Sequence, residues 1–283
     1  MARTDTYGMK IIVQIIMIFL GLLAIIPIYL VLINATRTTE QINAGISIIP
    51  NTNTLFNWGV LKSRGMDQGI SVLGGFKNSA IISISATVLS VYFSAMTAYG
   101  LHVYRFTGRR VLWAVILIVI MLPASLSIIG FFQFVSRLRL RDNYIPLIIP
   151  GIAAAGTVLF LRQYMMSSIS AELIDAARIE GANEYLIFNI IILPVIIPAL
   201  AAQSIFTFVA SWNNFMTPFV LISSDKKYTL PMLVQTLRGN IYRAEMGAIY
   251  LGIAISLVPI LIFYALMSRF IISGITMGGL RED

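Results

Sequence analysis

The sequence predicts an all-α, polytopic membrane protein with six transmembrane helices and one water-facing helix-turn-helix knob. Three observations carry that expectation. Of 283 residues, 58% are hydrophobic and 11% charged, whereas an ordinary soluble domain has roughly a quarter of its residues charged. Apolar runs recur at about the 20 residues that a helix needs to cross a bilayer. Between two of these runs, four of the twelve acidic residues, Glu172, Asp175, Glu180 and Glu184, fall inside thirteen positions, a density that belongs in water.

In chain order, the first apolar run, residues 11–33, exceeds a signal-peptide h-region and reads as a retained span. Residues 34–78 are mixed and turn-rich, with Pro50-Asn51, Gly74-Gly75 and scattered charges, which suggests a small extramembrane lobe without a core of its own. The second span covers 79–103 and the third 111–135, and the tight basic loop Arg105-Phe106-Thr107-Gly108-Arg109-Arg110 makes them antiparallel neighbours. The fourth span is 144–166, the acidic knob 168–194, the fifth span 195–222 and the sixth 246–272, with a polar loop 223–245 and a tail from Ser273 to Asp283. Residues 1–283 read as a single transmembrane domain. Six spans put both termini on one side, and the knob joins them there because four spans precede it.

Within the knob, Ser170 is placed to cap a helix whose first turn carries Glu172 and Asp175 near the positive end of the dipole. Leu173, Ala176, Ala177 and Glu180 recur at helical spacing and give that helix a small-residue face. Gly181 stands where a C′ residue takes a left-handed conformation, and Asn183 can cap a second helix carrying Tyr185, Phe188, Ile191 and Ile192. Alanine at 176 and 177 lets a partner approach closely, while Phe188 and the isoleucines root the knob on the next span.

The net charge of +8 is spread over short loops, with no basic run alternating with aromatics, so it reads as headgroup contact and not as nucleic-acid binding. Nine Lys and Arg fall on the knob side and the remaining eleven opposite, Arg137, Arg139 and Arg141 among them, so charge bias leaves the orientation open. One histidine, no cysteine and no carboxylate pair inside the spans leave little for acid–base or metal chemistry. No catalytic residue and no metal ligand is expected, and the chain is not read as an enzyme. The phosphate-cradling G-x-x-x-x-G-K-[ST] is missing, and the near-miss Gly74 to Ser79 has the wrong spacing. No Asp, Glu, Lys or Arg lies in the interior of a span, His102 and Arg162 sitting near ends, whereas ion-coupled carriers keep an ionisable group at mid-membrane. An ion-coupled secondary transporter is therefore the weaker alternative, and the energy source is external.

Two spans carry uncharged polar stripes. In the second, Ser83, Thr87, Ser90, Ser94 and Thr97 draw a hydroxyl line down one face, suited either to close helix packing or to lining a translocation path. In the fifth, Gln203, Ser204, Thr207, Ser211, Asn213, Asn214 and Thr217 interleave with Phe206, Phe208, Trp212 and Phe215, with Gln203, Thr207, Ala210 and Asn214 on one face. Amides in hydrocarbon need partners or water. Interhelical bonding satisfies that need, and so does a wet cavity shaped for a neutral polyol.

Asp175-Ala176-Ala177-Arg178-Ile179-Glu180-Gly181-Ala182, then Phe188, Ile191, Leu193 and Pro194, resemble the E-A-A-x-x-x-G coupling loop of the membrane subunits of ABC importers. Asp175 stands for the family's usual Glu and Glu180 for its usual Asp. Phe208 to Pro218, Tyr228-Thr229-Leu230-Pro231 and the tail Gly274 to Leu280 are similar to the carbohydrate-uptake, maltose-type branch. The resemblance implies a type I ABC importer fold in the cell (plasma or inner) membrane, with knob and both termini cytoplasmic. It implies a permease for an oligosaccharide or related carbohydrate delivered by an extracellular solute-binding protein; a polyol phosphate, amino acid or peptide is the alternative cargo. It further implies a second homologous permease subunit and two cytoplasmic ATPase subunits that bind the ATP, with no cofactor in this chain. Glu172, Asp175, Ala176, Ala177, Glu180 and Gly181 would then face an ATPase, and Ser90, Ser94, Gln203, Thr207, Trp212, Asn213 and Asn214 would line the path. The loop 223–245 would touch the binding protein, and the tail would lie between the ATPases.

Overall fold

The computed structural model describes residues 4–67, 69, 71–122, 128–238 and 245–278, and among these no strand occurs. Helices α1 (Thr4–Asn34), α2 (Thr39–Asn43) and α3 (Thr54–Asp67) precede the 32-residue α4 (Val72–Val103). Then α5 (Arg109–Met121), α6 (Ile128–Arg137), α7 (Ile145–Ile148) and α8 (Ala155–Ser168) lead to the knob helices α9 (Ala171–Ile179) and α10 (Glu184–Leu186). A π-helical segment, Ile187–Ile192, joins α10 to α11 (Leu193–Val195). After it come α12 (Ile197–Trp212), α13 (Met216–Leu221), α14 (Leu230–Thr236) and the 33-residue α15 (Met246–Gly278).

Four helical stretches among the described residues are long and apolar enough to cross a membrane: Met9–Asn34, Val72–Val103, Ile145–Ser168 and Met246–Ile271. The pair Glu184–Val195 and Ile197–Trp212, bent by 80°, makes a fifth if counted as one span. The helix expected from residue 79 begins at Val72, so Gly74 to Ser79 is helical and cradles no phosphate. The span expected over 111–135 is helical to Met121 and again from Ile128, and residues 123–127 lie outside the described residues. The fourth begins as α7, passes through a 3₁₀ turn at Ile149–Gly151 and resumes as α8, because Pro150 and Gly151 interrupt the ladder.

The sharp bend has a local cause. Pro198 has no N–H to give the carbonyl of Pro194, and its ring crowds that carbonyl. Ile196, at φ −97° and ψ 9°, absorbs the break. Upstream the backbone is already widened, with the Leu193 N–H reaching back five residues to the Phe188 carbonyl. Downstream α12 stops at Trp212, so the expected continuous span 195–222 is two helices with residues 213–215 between them.

Contacts divide the chain into two compact units, Met1–Val72 with Leu233–Leu257, and Leu73–Met232 with Val258–Asp283. In the first, the chain after α1 winds around the buried Arg37. Its guanidinium donates to Asn34 Oδ1 at 3.0 Å and to the carbonyls of Gln41 and Gly45. The Asn57 amide donates to the carbonyls of Ala35 and Arg37 at 2.9 and 3.0 Å. The lobe's apolar packing is borrowed from α14 and α15: Leu61, Leu233 and Ile249 are buried, and Gly252 lies against Val234 and Leu61. In the second unit, small residues of α4, Ala95 and Ala98, pack with Val158, Leu161 and Met165 of α8 and with the root of the knob. Residues without bulk allow such close approach between apolar helices.

Candidate coupling knob and translocation path

The knob is built by local hydrogen bonds. Ser170 Oγ accepts the N–H of Leu173 at 3.4 Å and opens α9. The Glu172 carboxyl is held below the usual carboxylate range by its own backbone N–H and by the Ser170 hydroxyl. At the other end the N–H of Ala182 donates to the Ala177 carbonyl and that of Gly181 to the Arg178 carbonyl, each at 3.0 Å. This is a Schellman closure, and it needs the left-handed φ of +85° that Gly181 adopts. Asn183 Oδ1 then accepts from Leu186 N at 2.9 Å and starts α10.

Two expectations about the faces change. Ala177 is buried beside Ile174, turned into the chain's own core, so its small size seats the knob and leaves Ala176 alone exposed for a partner. Tyr185 is 69% exposed although Phe188 and Ile192 are buried, because the inward stripe is set by Ile187, Phe188 and Ile192 through the π turn. Glu172, Asp175, Ala176, Glu180 and Gly181 all lie on the exposed surface of the knob.

An ionic and phenolic network ties the two knob helices to α4. Arg178 Nε donates to Glu184 Oε1 at 2.8 Å and Nη1 to Asp175 Oδ1 at 3.2 Å. The other oxygen of Glu184 accepts from the Tyr99 hydroxyl at 2.8 Å. One heptad earlier on α4, the Tyr92 hydroxyl donates to Asn189 Oδ1 at 3.1 Å, and the Asn189 amide is oriented by donating to the Tyr185 carbonyl at 2.9 Å. Phe188 lies between, its ring centroid 5.8 Å from Tyr92 and 5.4 Å from Tyr99. Neither tyrosine belongs to the site expected from sequence. Their spacing of seven, which puts two phenols on one face of α4, is the signal that could have found them.

From Ser83 to Ser94 the hydroxyl stripe of α4 is buried within the chain, and Thr97 is half-buried. Ser83 and Thr87 donate to carbonyls one turn back at 2.6 Å each. Ser90 and Ser94 are buried, and their hydroxyls have no hydrogen-bond partner among the described residues. Gln203 and Thr207 are half-buried on α12. Trp212 is 1% exposed, with its ring stacked 5.6 Å from Phe208 and edge-on to Phe76 at 5.5 Å. Neighbours in this chain therefore cover its ring faces. Asn213 and Asn214 are exposed and follow the end of α12, so the face expected from Gln203 to Asn214 stops at Ala210. Asn214 Oδ1 instead accepts from Thr217 N at 3.2 Å, in the first turn of the short helix that follows.

The stretch after α13 is fastened at several points. Asp142, at φ +55°, accepts from Ser223 N (3.1 Å), Ser224 N (2.9 Å), Ser224 Oγ (2.6 Å) and Lys227 Nζ (2.9 Å). The Ser224 hydroxyl leads the groups that hold its carboxyl well below the usual range, ahead of the Ser224 N–H and Lys227. Asn78 donates to the carbonyls of Lys226 and Tyr228, both at 2.9 Å, and Ser79 Oγ accepts from Leu230 N at 2.9 Å. Residues 239–244 and 279–283 of the polar loop and the tail lie outside the described residues.

Known proteins share this architecture. Residues 90–273 match the family described as binding-protein-dependent transport system inner membrane component. The chain is 37% identical over 269 residues to the arabinooligosaccharides transport system permease protein AraQ of Halalkalibacterium halodurans, covering 93% of each chain. It is 28% identical over 255 residues to the lactose transport system permease protein LacG of Rhizobium radiobacter, covering 88% of this chain and 89% of that one. A crystal structure of a bacterial ABC transporter involved in import of the acidic polysaccharide alginate superposes with a TM-score of 0.73 at 22% identity, over 95% of this chain and 98% of that chain. With the knob, the long apolar helices and these matches together, the chain belongs to the binding-protein-dependent transport system inner membrane components, the non-enzymatic permeases of ABC importers.

Proposed function

We propose that the chain is one of two non-identical permease subunits of an importer for an oligosaccharide or related carbohydrate. It works with a second permease, two cytoplasmic ATPase subunits and an extracellular solute-binding protein, and the knob and both termini face the cytoplasm. The observation that carries the coupling part of this reading is the knob. Ile174, Ala177 and Phe188 anchor it inward, while Asp175, Ala176 and Glu180 are presented outward around a rigid Gly181 turn. An acidic projection of that kind suits a cleft in an ATPase, whose closure it passes on as a rigid-body swing. The carbohydrate part rests on the relatives named for arabinooligosaccharides and lactose.

Gln203, Thr207, Asn213 and Asn214 offer amides and hydroxyls that a polyol can use, and Ser90 and Ser94 contribute from α4 when the spans part. Trp212 shapes that wall through Phe208 and Phe76. The chain itself holds no cofactor, since ATP is bound by the partners.

The test is purification from the native membrane in mild detergent, with mass-spectrometric identification of what accompanies the chain. A second permease and a subunit with a phosphate-binding loop are expected. ATP hydrolysis by that complex should rise when its binding protein is loaded with pentose or hexose oligosaccharides. A chain that purifies alone and transports without ATP would overturn the reading, and stimulation only by amino acids or phosphorylated polyols would overturn its carbohydrate part.

A further inference from the structure

We propose that Tyr92 and Tyr99 of α4 form a two-point clasp on the knob's second helix that makes α4 and the knob move as one body. The inference rests on the coupling role proposed above and adds the residues through which the displacement passes. Along the backbone the connection is weak. Between the knob and α12 the chain runs through a π-helical segment and an 80° elbow at Ile196. Widened hydrogen-bond rings followed by a proline break make a poor lever along the chain. A push on α9 is therefore carried across it, by side chains.

Two polar bridges provide that transverse path, with the Phe188 ring packed between them. Tyr99 Oη to Glu184 Oε2 (2.8 Å) sits at the cap of α10, and Tyr92 Oη to Asn189 Oδ1 (3.1 Å) sits within the π segment. The acceptors are themselves fixed: Glu184 by Arg178 of α9, and Asn189 by the Tyr185 carbonyl. Arg178 of α9 holds Glu184 of α10 and, within its own helix, Asp175, so a load on α9 reaches Tyr99 through the Arg178–Glu184 pair. Tyr99 is 4% and Phe188 3% exposed, and low-dielectric surroundings strengthen hydrogen bonds of this kind. Separated by two turns of α4, the bridges resist rotation as well as translation, which a single contact does not. Tyr92 and Tyr99 are positioning residues: they act through the knob and touch neither solute nor nucleotide.

The test exploits the absence of cysteine in the sequence. Spin labels are placed by Val88→Cys on α4 and Tyr185→Cys on the knob, exposed at 61% and 69%, in the complex purified from its native membrane. The 88–185 distance distribution is measured without nucleotide and after trapping with ATP and vanadate. It should be one population, equal in both states. Tyr92→Phe and Tyr99→Phe remove only the hydroxyls and leave the rings packed. In the trapped state they should favour a second, displaced population by about fivefold per hydroxyl, with ATP hydrolysed per solute imported rising in parallel. Phe188→Leu is the packing control. It keeps both hydrogen bonds, so it should lower the melting temperature and leave the distribution single. A single unchanged distribution in the doubly substituted, vanadate-trapped complex would overturn the clasp and leave the coupling reading standing. A complex in which no ATPase is present to be trapped would overturn both.

Discussion

At the scale of single residues, two glycines are decided by different physics. At Gly181 a Cβ would meet nothing within 4 Å, but the φ is +85°, so what a side chain costs there is backbone conformation alone. Gly181→Val should destabilise by about 2 kcal/mol and impair coupled transport, and Gly181→Asn, which tolerates the left-handed region, should recover most of it. Transport assays with a melting curve check this; a valine variant that imports normally would remove the turn from the mechanism. Gly247 is the opposite case. Its φ is ordinary, but a Cβ would collide with the Arg37 carbonyl oxygen and lie 2.6 Å from the Asn57 amide. Gly247→Ala should cost about 3 kcal/mol by overpacking, read as a lower melting temperature in detergent. The first glycine was legible in sequence because turn chemistry is local. The second was not, because its constraint comes from Arg37 and Asn57, near the opposite end of the chain.

At the scale of elements, the staple between Asp142 and the stretch after α13 gives a prediction whose sign follows from its low pKa. A depressed carboxyl stabilises the fold above the ordinary carboxylate value of about 4, and that contribution fades as the pH falls toward its folded value. Asp142→Asn should lose about 1–2 kcal/mol at neutral pH, a modest figure because the side chain is partly exposed. The gap in melting temperature between wild type and variant should narrow below pH about 4; a gap constant with pH would show that the charge is immaterial. Long apolar helices and the knob caps were readable from hydropathy and Ser, Gly and Asn signals. Pro194 and Pro198 marked where a kink could open, and the elbow falls there. The 3₁₀ break after α7 and the early stop of α12 were not legible, because hydropathy averages over a window and is blind to where a ladder breaks. Trp212 and Asn214 were legible as polar or amphipathic residues in an apolar run. Their partners, Phe208, Phe76 and Thr217 N, were not.

At the scale of the whole molecule, assembly is the quantity to measure. The Asp175 side chain is 65% exposed and pairs with Arg178 at 3.2 Å. Asp175→Lys should therefore barely change the melting temperature, while reducing the ATPase recovered per permease about tenfold, a figure that corresponds to about 1.4 kcal/mol of interface energy. Equal recovery would exclude that carboxylate from the contact. The helix Met9–Asn34, with none of its most apolar window buried within the chain, shows the limit of sequence at this scale, since apolarity does not say what covers a surface. The π segment has a further consequence here, which concerns screw phase. Each residue of an α-helix turns the face by about 100°, and a π turn winds more slowly because its hydrogen bonds close over one residue more. The six residues of Ile187–Ile192 therefore sweep about the arc of five α-helical ones, and the segment carries an extra residue without changing the azimuth of Glu184 relative to everything after Leu193. Removing one isoleucine there would let regular winding resume with the acidic tip facing as before, whereas one residue inserted into a regular turn would swing the tip by about 100° and present an intact knob in the wrong direction.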